Sequence, residues 1–256
     1  MDIVKIKEVI IPEKIAEIES KENVKIIYCV ESGSRAWGMA SPDSDFDVRF
    51  IYVRPKEYYL RLDKTRDVIE WQLDDTLDIN GWDLQKALIL LYKSNPTIFE
   101  WSNSPIVYKT TPEWEIISTK IKKYFNAKPI LYHYLSLAKK TYNEYLTGET
   151  VRLKKYFYAL RPILACKWII DKNSPPPMPF YELVDLYLNK EIAPNVKELL
   201  RLKIDTPEIG TSKRIDVIND YIQASRAEIE KILATYTTEE YKGWDELNAI
   251  FLDVLM

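Results

Sequence analysis

The chain has 256 residues and a mass of 30.2 kDa, a length typical of one large domain or two modest ones. With 46% hydrophobic and 29% charged residues, its composition is that of an ordinary globular protein and excludes a fibrous or a disordered design. The formal net charge of −3 argues against capture of nucleic acid by overall positive charge, although it leaves a local basic groove open.

No apolar run in the sequence reaches the ~18 residues that a membrane span needs, and the first residues lack the pattern of a secretory signal peptide. We therefore expect a cytoplasmic protein that does not contact a membrane. Cys29 and Cys166 lie in apolar segments and no Cys-x-x-Cys pair occurs, so we interpret both as core residues and not as zinc ligands.

Strand and helix patterns alternate in the first half of the chain. Apolar runs or polar-apolar alternation, both typical of strands, are found at residues 24–31, 45–53, 67–73 and 76–82. Helices are expected at residues 13–22 and from the N-cap candidate Asp83 to Asn95-Pro96. Together these patterns predict a mixed β-sheet with flanking helices.

In the second half of the chain, strand patterns give way to helical periodicity. The helices are expected at residues 113–124, 128–146, 151–172, 194–203, 212–234 and 238–255. The proline-rich segment 174–179 is too stiff and too poor in hydrogen-bond donors for a helix, so it is predicted to be an extended connector. We therefore predict an α+β protein, with an N-terminal mixed-sheet domain at residues 1–110 and an all-α domain at residues 111–256.

The segment from residue 31 to residue 49 carries the clearest chemical pattern. Gly33-Ser34 ends a buried strand before a short helix, which directs backbone N–H groups and a hydroxyl at an anion such as a triphosphate. Asp45 and Asp47 lie two residues apart on the next strand, so both carboxylates project from one face. Two adjacent anions repel unless a cation lies between them, and Mg²⁺ suits carboxylates and phosphates.

Two other interpretations of these aspartates compete with a metal site. The segment 41–47 is also typical of a solvated turn followed by the polar face of a strand. A calcium-binding EF-hand loop is excluded, because its glycine and glutamate positions would fall on Val48 and Arg54. Arg49 shares the face of the aspartates, where either a phosphate contact or a simple ion pair would explain it.

Gly33-Ser34, ten intervening residues and then Asp45-Phe46-Asp47-Val48 resemble the signature of the DNA polymerase β-like nucleotidyltransferase superfamily. The longer run from Gly33 to Phe50, with Gly81-Trp82-Asp83-Leu84, is similar to the nucleotidyltransferases associated with RNA ligases in bacteria and phages. The resemblance covers about residues 24–108 closely and extends more loosely into the helical half. It implies transfer of a nucleoside monophosphate from an NTP such as ATP to an acceptor hydroxyl, with Mg²⁺ or Mn²⁺ as cofactor and release of pyrophosphate.

The resemblance also implies roles for individual residues. In the superfamily a third carboxylate on a neighbouring strand completes the metal site, and Asp78 is our first candidate for it, with Asp83 and Glu70 as alternatives. Asp83 would also serve as a helix cap. The residues implied at the metal site are Asp45, Asp47 and Asp78, and those implied at the phosphates are Gly33, Ser34 and Arg35.

The helix predicted at residues 151–172 carries a basic and aromatic stripe. Lys154, Tyr158 and Arg161 fall on one of its faces. Such stripes are usually solvated surfaces, but members of the superfamily commonly bind the nucleotide between the catalytic domain and a following helical domain. The resemblance therefore makes Lys154 and Arg161 candidate nucleotide-binding residues.

The sequence does not identify the acceptor or the functional partner. The implied acceptor is an RNA end, with an RNA ligase as a functional partner, while a small metabolite or a protein side chain would fit other branches of the superfamily. The rival class is a non-catalytic nucleotide-binding or partner-binding module on the same fold.

Overall fold

The computed structural model describes residues 2–205, 210–237 and 242–256. These residues form two compact units. The first unit consists of residues 2–36, 45–124 and 242–256, and the second consists of residues 37–44, 125–205 and 210–237. The segment 37–44, which joins the Gly33-Ser34 turn to Asp45 along the chain, thus belongs to the second unit. The division of function between a catalytic and a binding domain stays a prediction.

A five-stranded sheet forms the first unit's framework. Its strands are β1 (Lys25–Glu31), β2 (Phe46–Val53), β3 (Val68–Leu73), β4 (Leu77–Asp83) and β5 (Val107–Thr110). They are ordered β3-β4-β2-β1-β5, and β2 and β4 are parallel while the other neighbouring pairs are antiparallel. The predicted mixed sheet is confirmed, although the short strand β5 had no recognisable pattern in the sequence.

Helices cover this sheet. They are α1 (Ile3–Lys5), α2 (Ile11–Glu22), α3 (Gly33–Ala36), α4 (Lys56–Tyr59), α5 (Leu84–Tyr92), α6 (Pro96–Ser102), α7 (Pro112–Ile121) and the final α13 (Asp245–Leu255), with a π-helical turn at Ile6–Ile10 and a 3₁₀ turn at Lys122–Tyr124. The chain end returns to this unit, where Phe251 packs edge-on against Tyr59. The predicted helix 238–255 is observed from Asp245 onward, and residues 238–241 lie outside the described residues.

The alternation in β2 explains both the core and the polar site. Phe46, Val48 and Phe50 point to one face, where they are fully buried with α2 in the hydrophobic core. Each such side chain contributes about 1.5–3 kcal/mol relative to exposure. Asp47 and Arg49 point to the opposite face and stay partly exposed. The hydrophobic core therefore fixes the strand's register and, with it, the direction of its polar side chains.

The second unit is mainly helical. Its helices are α8 (Ala127–Tyr145), α9 (Lys154–Lys172), α10 (Phe180–Tyr187), α11 (Ala193–Asp205) and α12 (Asp216–Thr235). Buried Asn219 of α12 accepts from the Tyr156 hydroxyl of α9 at 2.9 Å and donates to the Leu146 carbonyl at 2.7 Å. The predicted α+β class and the extended connector at 174–179 are confirmed. The small two-stranded sheet, in which three residues of β6 (Thr150–Arg152) pair with three of β7 (Thr211–Lys213), was not predicted.

The fold also tests the interpretation of the two cysteines and the expectation about membrane-spanning segments. Cys29 and Cys166 are completely buried, as predicted for core residues. Within the described ranges, the helices lack the combination of length and apolar character that crossing a bilayer requires.

Candidate functional site

The pairing of β2 with β4 brings two of the predicted acids together. Asp47 and Asp78 are direct neighbours in the parallel register. The Arg49 guanidinium lies between them, with Nη2 at 2.8 Å from Asp47 Oδ1 and at 2.6 Å from Asp78 Oδ2. Its Nη1 also donates to the Asp78 carbonyl oxygen at 2.6 Å. The two carboxylates therefore share one positive charge, and Arg49 forms the ion pair that was one of its two predicted roles.

The Gly33 turn lies directly against Asp47. Gly33 has a φ of +55°, which L-residues with a side chain rarely adopt. A Cβ atom at this position would lie 1.8 Å from Asp47 Oδ2, far inside van der Waals contact. The backbone N–H of Ser32 donates to the Asp47 carbonyl at 2.8 Å. The structure thus places the predicted phosphate-binding turn and the predicted metal ligand side by side, with Ser34 partly exposed in α3.

Asp45 and Arg35 complete this cluster. Asp45 is exposed and precedes β2 by one residue, and Arg35 Nε donates to its carbonyl at 2.9 Å. Burial raises the pKa of Asp47 to about 6, the Arg49 charge opposes that rise, and the charges of Asp45 and Asp78 add to it. Arg35 also opposes the rise, so Asp47 interacts electrostatically with two acids and two arginines.

Glu31 is a site residue that the sequence analysis missed. It ends β1 and is completely buried. Its Oε1 accepts from the Asp47 backbone N–H at 2.7 Å, and its Oε2 accepts from the Tyr108 hydroxyl. Burial raises the pKa of Glu31 to about 7. The available signal was a charged residue inside a buried strand, immediately before the Gly-Ser turn.

The alternatives for the third acid lie elsewhere. Asp83 is buried and caps α5, since it accepts from Gln85 N–H at 2.8 Å and from the Tyr59 hydroxyl at 2.8 Å. It is five residues from Asp78 and so belongs to the other face of β4. Glu70 is exposed on β3, opposite Asn80. The geometry favours Asp78, whose catalytic role stays a prediction.

A model of the RNA repair pathway DNA polymerase beta family matches residues 7–253. The chain belongs to this family. It is similar to the uncharacterized protein YcgL of Bacillus subtilis (strain 168), with 42% identity over 248 residues, 95% of this chain and 94% of the relative. The resemblance inferred from the Gly-Ser and Asp-x-Asp motif is therefore confirmed.

A solved structure of a nucleotidyltransferase-like protein from Exiguobacterium sibiricum 255-15 is also similar to this RNA repair polymerase beta family member. The match has 12% identity and a TM-score of 0.31, and it covers 88% of this chain and 73% of that chain.

The predicted basic stripe of this family member lies in the second unit, and its residues differ in exposure to solvent. Arg161 is 3% exposed, with its guanidinium 4.4 Å from the centre of the Trp37 ring. Tyr158 is 39% exposed and meets Trp37 edge-on, and Lys154 is partly exposed at the start of α9. The helical periodicity could not show that Arg161 is covered. Nucleotide binding by Lys154 and Arg161 stays a prediction.

The donor set at the strand pair suits a hard cation. Asp45, Asp47 and Asp78 offer only carboxylate oxygens, which Mg²⁺ and Mn²⁺ prefer. The Arg49 guanidinium already lies between two of them as a positive group. In the part of the chain that the structure describes, three or more His, Cys, Asp or Glu side chains are nowhere drawn together as a ready-made metal site.

Proposed function

We propose that this protein transfers a nucleoside monophosphate from a nucleoside triphosphate to an acceptor hydroxyl at the end of an RNA strand, releasing pyrophosphate. The family and the fold suggest a polymerase β-like nucleotidyltransferase. The choice of RNA as acceptor is supported by the description of the family, which concerns RNA repair.

One observation carries the proposal, namely that Asp47 and Asp78 are paired beside the Gly33 turn. We assign both, with Asp45, to a bound Mg²⁺ or Mn²⁺. Such an ion would lower the pKa of the acceptor hydroxyl and neutralise charge on the leaving pyrophosphate. Arg49 neutralises part of the charge of the two carboxylates, and the glycine leaves Asp47 within reach of the backbone of the turn.

The proposed reaction forms one bond and breaks one. The acceptor oxygen attacks the α-phosphorus, and the bond between that phosphorus and the bridging oxygen of pyrophosphate breaks. The hydroxyl proton passes to a carboxylate, for which Asp78 is our candidate. The residues proposed to bind the phosphates and the nucleotide are Gly33, Ser34, Arg35, Lys154 and Arg161.

Replacing Asp47 by Asn tests this function directly. The amide keeps the shape of the side chain but removes the negative charge, so we expect transfer to fall by at least about 100-fold. The measurement is transfer of label from each α-³²P-labelled NTP to short RNAs with defined ends, with Mg²⁺ or Mn²⁺ added. The matched control is Asp75→Asn, which makes the same change at an exposed acid in the β3–β4 turn.

The outcome separates the proposed enzyme from its rival. Label transfer that is lost in Asp47→Asn and kept in Asp75→Asn supports a nucleotidyltransferase. Tight NTP binding by the unaltered protein, without pyrophosphate release on any RNA, would instead support a nucleotide-binding module.

A further inference from the structure

The connection between β2 and β3 is basic in an acidic chain. Residues 54–67 contain five basic and three acidic side chains, a local charge of +2 against −3 for the whole chain. We call this segment the basic loop. Its cations are Arg54, Lys56, Arg61, Lys64 and Arg66.

An aromatic ring lies between two of these cations. The guanidinium of Arg54 is 4.5 Å, and that of Arg61 5.8 Å, from the centre of the Tyr58 ring. Arg54 is held in place by Glu22, whose carbonyl oxygen and Oε2 accept from it at 2.6 and 3.0 Å. The basic loop thus has a fixed cationic and aromatic base and not only mobile surface charges.

A cavity opens beside this stack. It has a volume of about 500 Å³ and is lined by Asn23, Arg54, Pro55, Glu57, Tyr58 and Arg61. Leu60 and Leu62 are 72% and 104% exposed in the same loop. An open cavity with an aromatic wall and exposed apolar side chains gives a base a surface to stack on.

Two cations of the loop are available to a partner. Lys56 and Lys64 are exposed, and neither forms an ion pair with a carboxylate of the described residues. Alternation of available cations with aromatic and apolar side chains is the pattern that recognises a single-stranded nucleic acid, whose phosphates need charge and whose bases need a stacking face.

We propose that the basic loop binds the sugar–phosphate backbone of a single-stranded nucleic acid. Arg54 directly follows β2 and comes seven residues after Asp47, which places the two roughly 23 Å apart at about 3.3 Å per residue of extended chain. The bound segment is therefore distant from the reacting end. Binding at the basic loop does not require the proposed function. Only the identification of the bound nucleic acid as the acceptor RNA rests on that function.

The experiment measures binding without catalysis. A fluorescent single-stranded RNA of about 20 nucleotides, longer than the ~4–16 that one small binding domain covers, is titrated with the full chain in EDTA, without NTP. The test variant is Lys56→Glu with Lys64→Glu. The control is Lys5→Glu with Lys122→Glu, which changes the net charge equally at exposed lysines elsewhere in the first unit.

We expect the test variant to bind the RNA at least about tenfold more weakly, with a salt slope smaller by about 1.4, since each phosphate contact on a single strand contributes about 0.7. The control variant should bind like the unaltered chain. Equal affinity of both variants would overturn the proposal, and so would displacement of the RNA by polyglutamate at equal charge, which would mark a general polyanion surface.

The same titration separates this proposal from the proposed function. Asp47→Asn is expected to bind the RNA as tightly as the unaltered chain, because Asp47 lies outside the basic loop. Retained binding without nucleotidyl transfer by the unaltered chain would support the basic loop and overturn the enzyme, whereas transfer without binding at the loop would do the reverse.

Discussion

At the residue scale, the contact between Gly33 and Asp47 links the backbone of a turn to a candidate metal ligand. The positive φ at Gly33 and the missing Cβ are both needed to leave the Asp47 carboxylate where it is. Asp47 is also fixed from behind, since Glu31 accepts its backbone N–H. The position of Asp47 is therefore constrained both by the Gly33 turn and by the end of β1.

Replacing Gly33 by Ala tests this dependence. The new Cβ would collide with Asp47 Oδ2, so we expect the carboxylate to move and nucleotidyl transfer to fall by about 100-fold or more, because positioning carries much of the rate. The positive φ should also lower the free energy of unfolding by about 1–2 kcal/mol. Label transfer and urea unfolding are the measurements.

A second glycine allows the effect of backbone strain to be distinguished from that of the contact between a new Cβ and Asp47. Gly38 has a similar φ of +70°, but a Cβ there would meet its nearest neighbour, Tyr181 Cδ1, only at 4.0 Å. Gly38→Ala should therefore lose only the stability that the positive φ costs, and it should keep most of its activity. Equal loss of activity in the two variants would show that the Asp47 contact has no special importance.

At the element scale, the start of α5 decides between two roles for Asp83. Its carboxylate caps the helix and accepts from Tyr59, and its face of β4 is not that of Asp78. Both features favour a structural role. The same strand thus carries a candidate catalytic acid on one face and a structural acid on the other.

Two substitutions of Asp83 test this role. Asp83→Ala removes the cap and leaves the partly buried Tyr59 hydroxyl without this acceptor, so the free energy of unfolding should fall by about 1–3 kcal/mol. Asp83→Asn keeps an oxygen for the cap and should lose less. Urea unfolding measures both. If Asp83→Asn folded normally but abolished label transfer, Asp83 and not Asp78 would be the third acid.

The elements that the sequence predicted are those with long periodic patterns. The strand expected at 24–31 is observed as Lys25–Glu31, and the helix expected at 128–146 as Ala127–Tyr145. Strand β5 and the pair β6 and β7 have only three or four residues, too few for a pattern to stand out. Short strands form because a neighbouring strand is present, which local sequence does not encode.

The candidate site was predictable to the extent that it depends on local spacing. The Gly-Ser turn and the Asp-x-Asp strand are sequence-adjacent, and strand alternation places Asp78 on a polar face. Glu31 and Tyr108 meet across 77 residues, so their pairing depends on the sheet order. The covering of Arg161 by Trp37 likewise depends on tertiary packing, since periodicity identifies a face but not what packs on it.

At the scale of the whole molecule, the buried acids set how stability depends on pH. Burial raises the pKa of Glu31 to about 7 and those of Asp47 and Asp83 to about 6. In the unfolded chain these groups titrate near 4, so between the two pKa values the folded state holds more protons. The contribution of these three groups to the free energy of unfolding is therefore fully present at low pH, and it is lost as the pH rises through about 6 to 7.

We therefore expect the free energy of unfolding in EDTA to fall by on the order of 5 kcal/mol from about pH 5 to about pH 8. Acids whose pKa is lowered, such as Glu113 at about 2, act below this window and do not offset the fall. Urea unfolding at closely spaced pH values measures it. Glu31→Gln cannot ionise and should flatten the upper part of the curve, whereas a stability that rises toward pH 8 in the unaltered chain would mean that these carboxylates are charged in the folded protein.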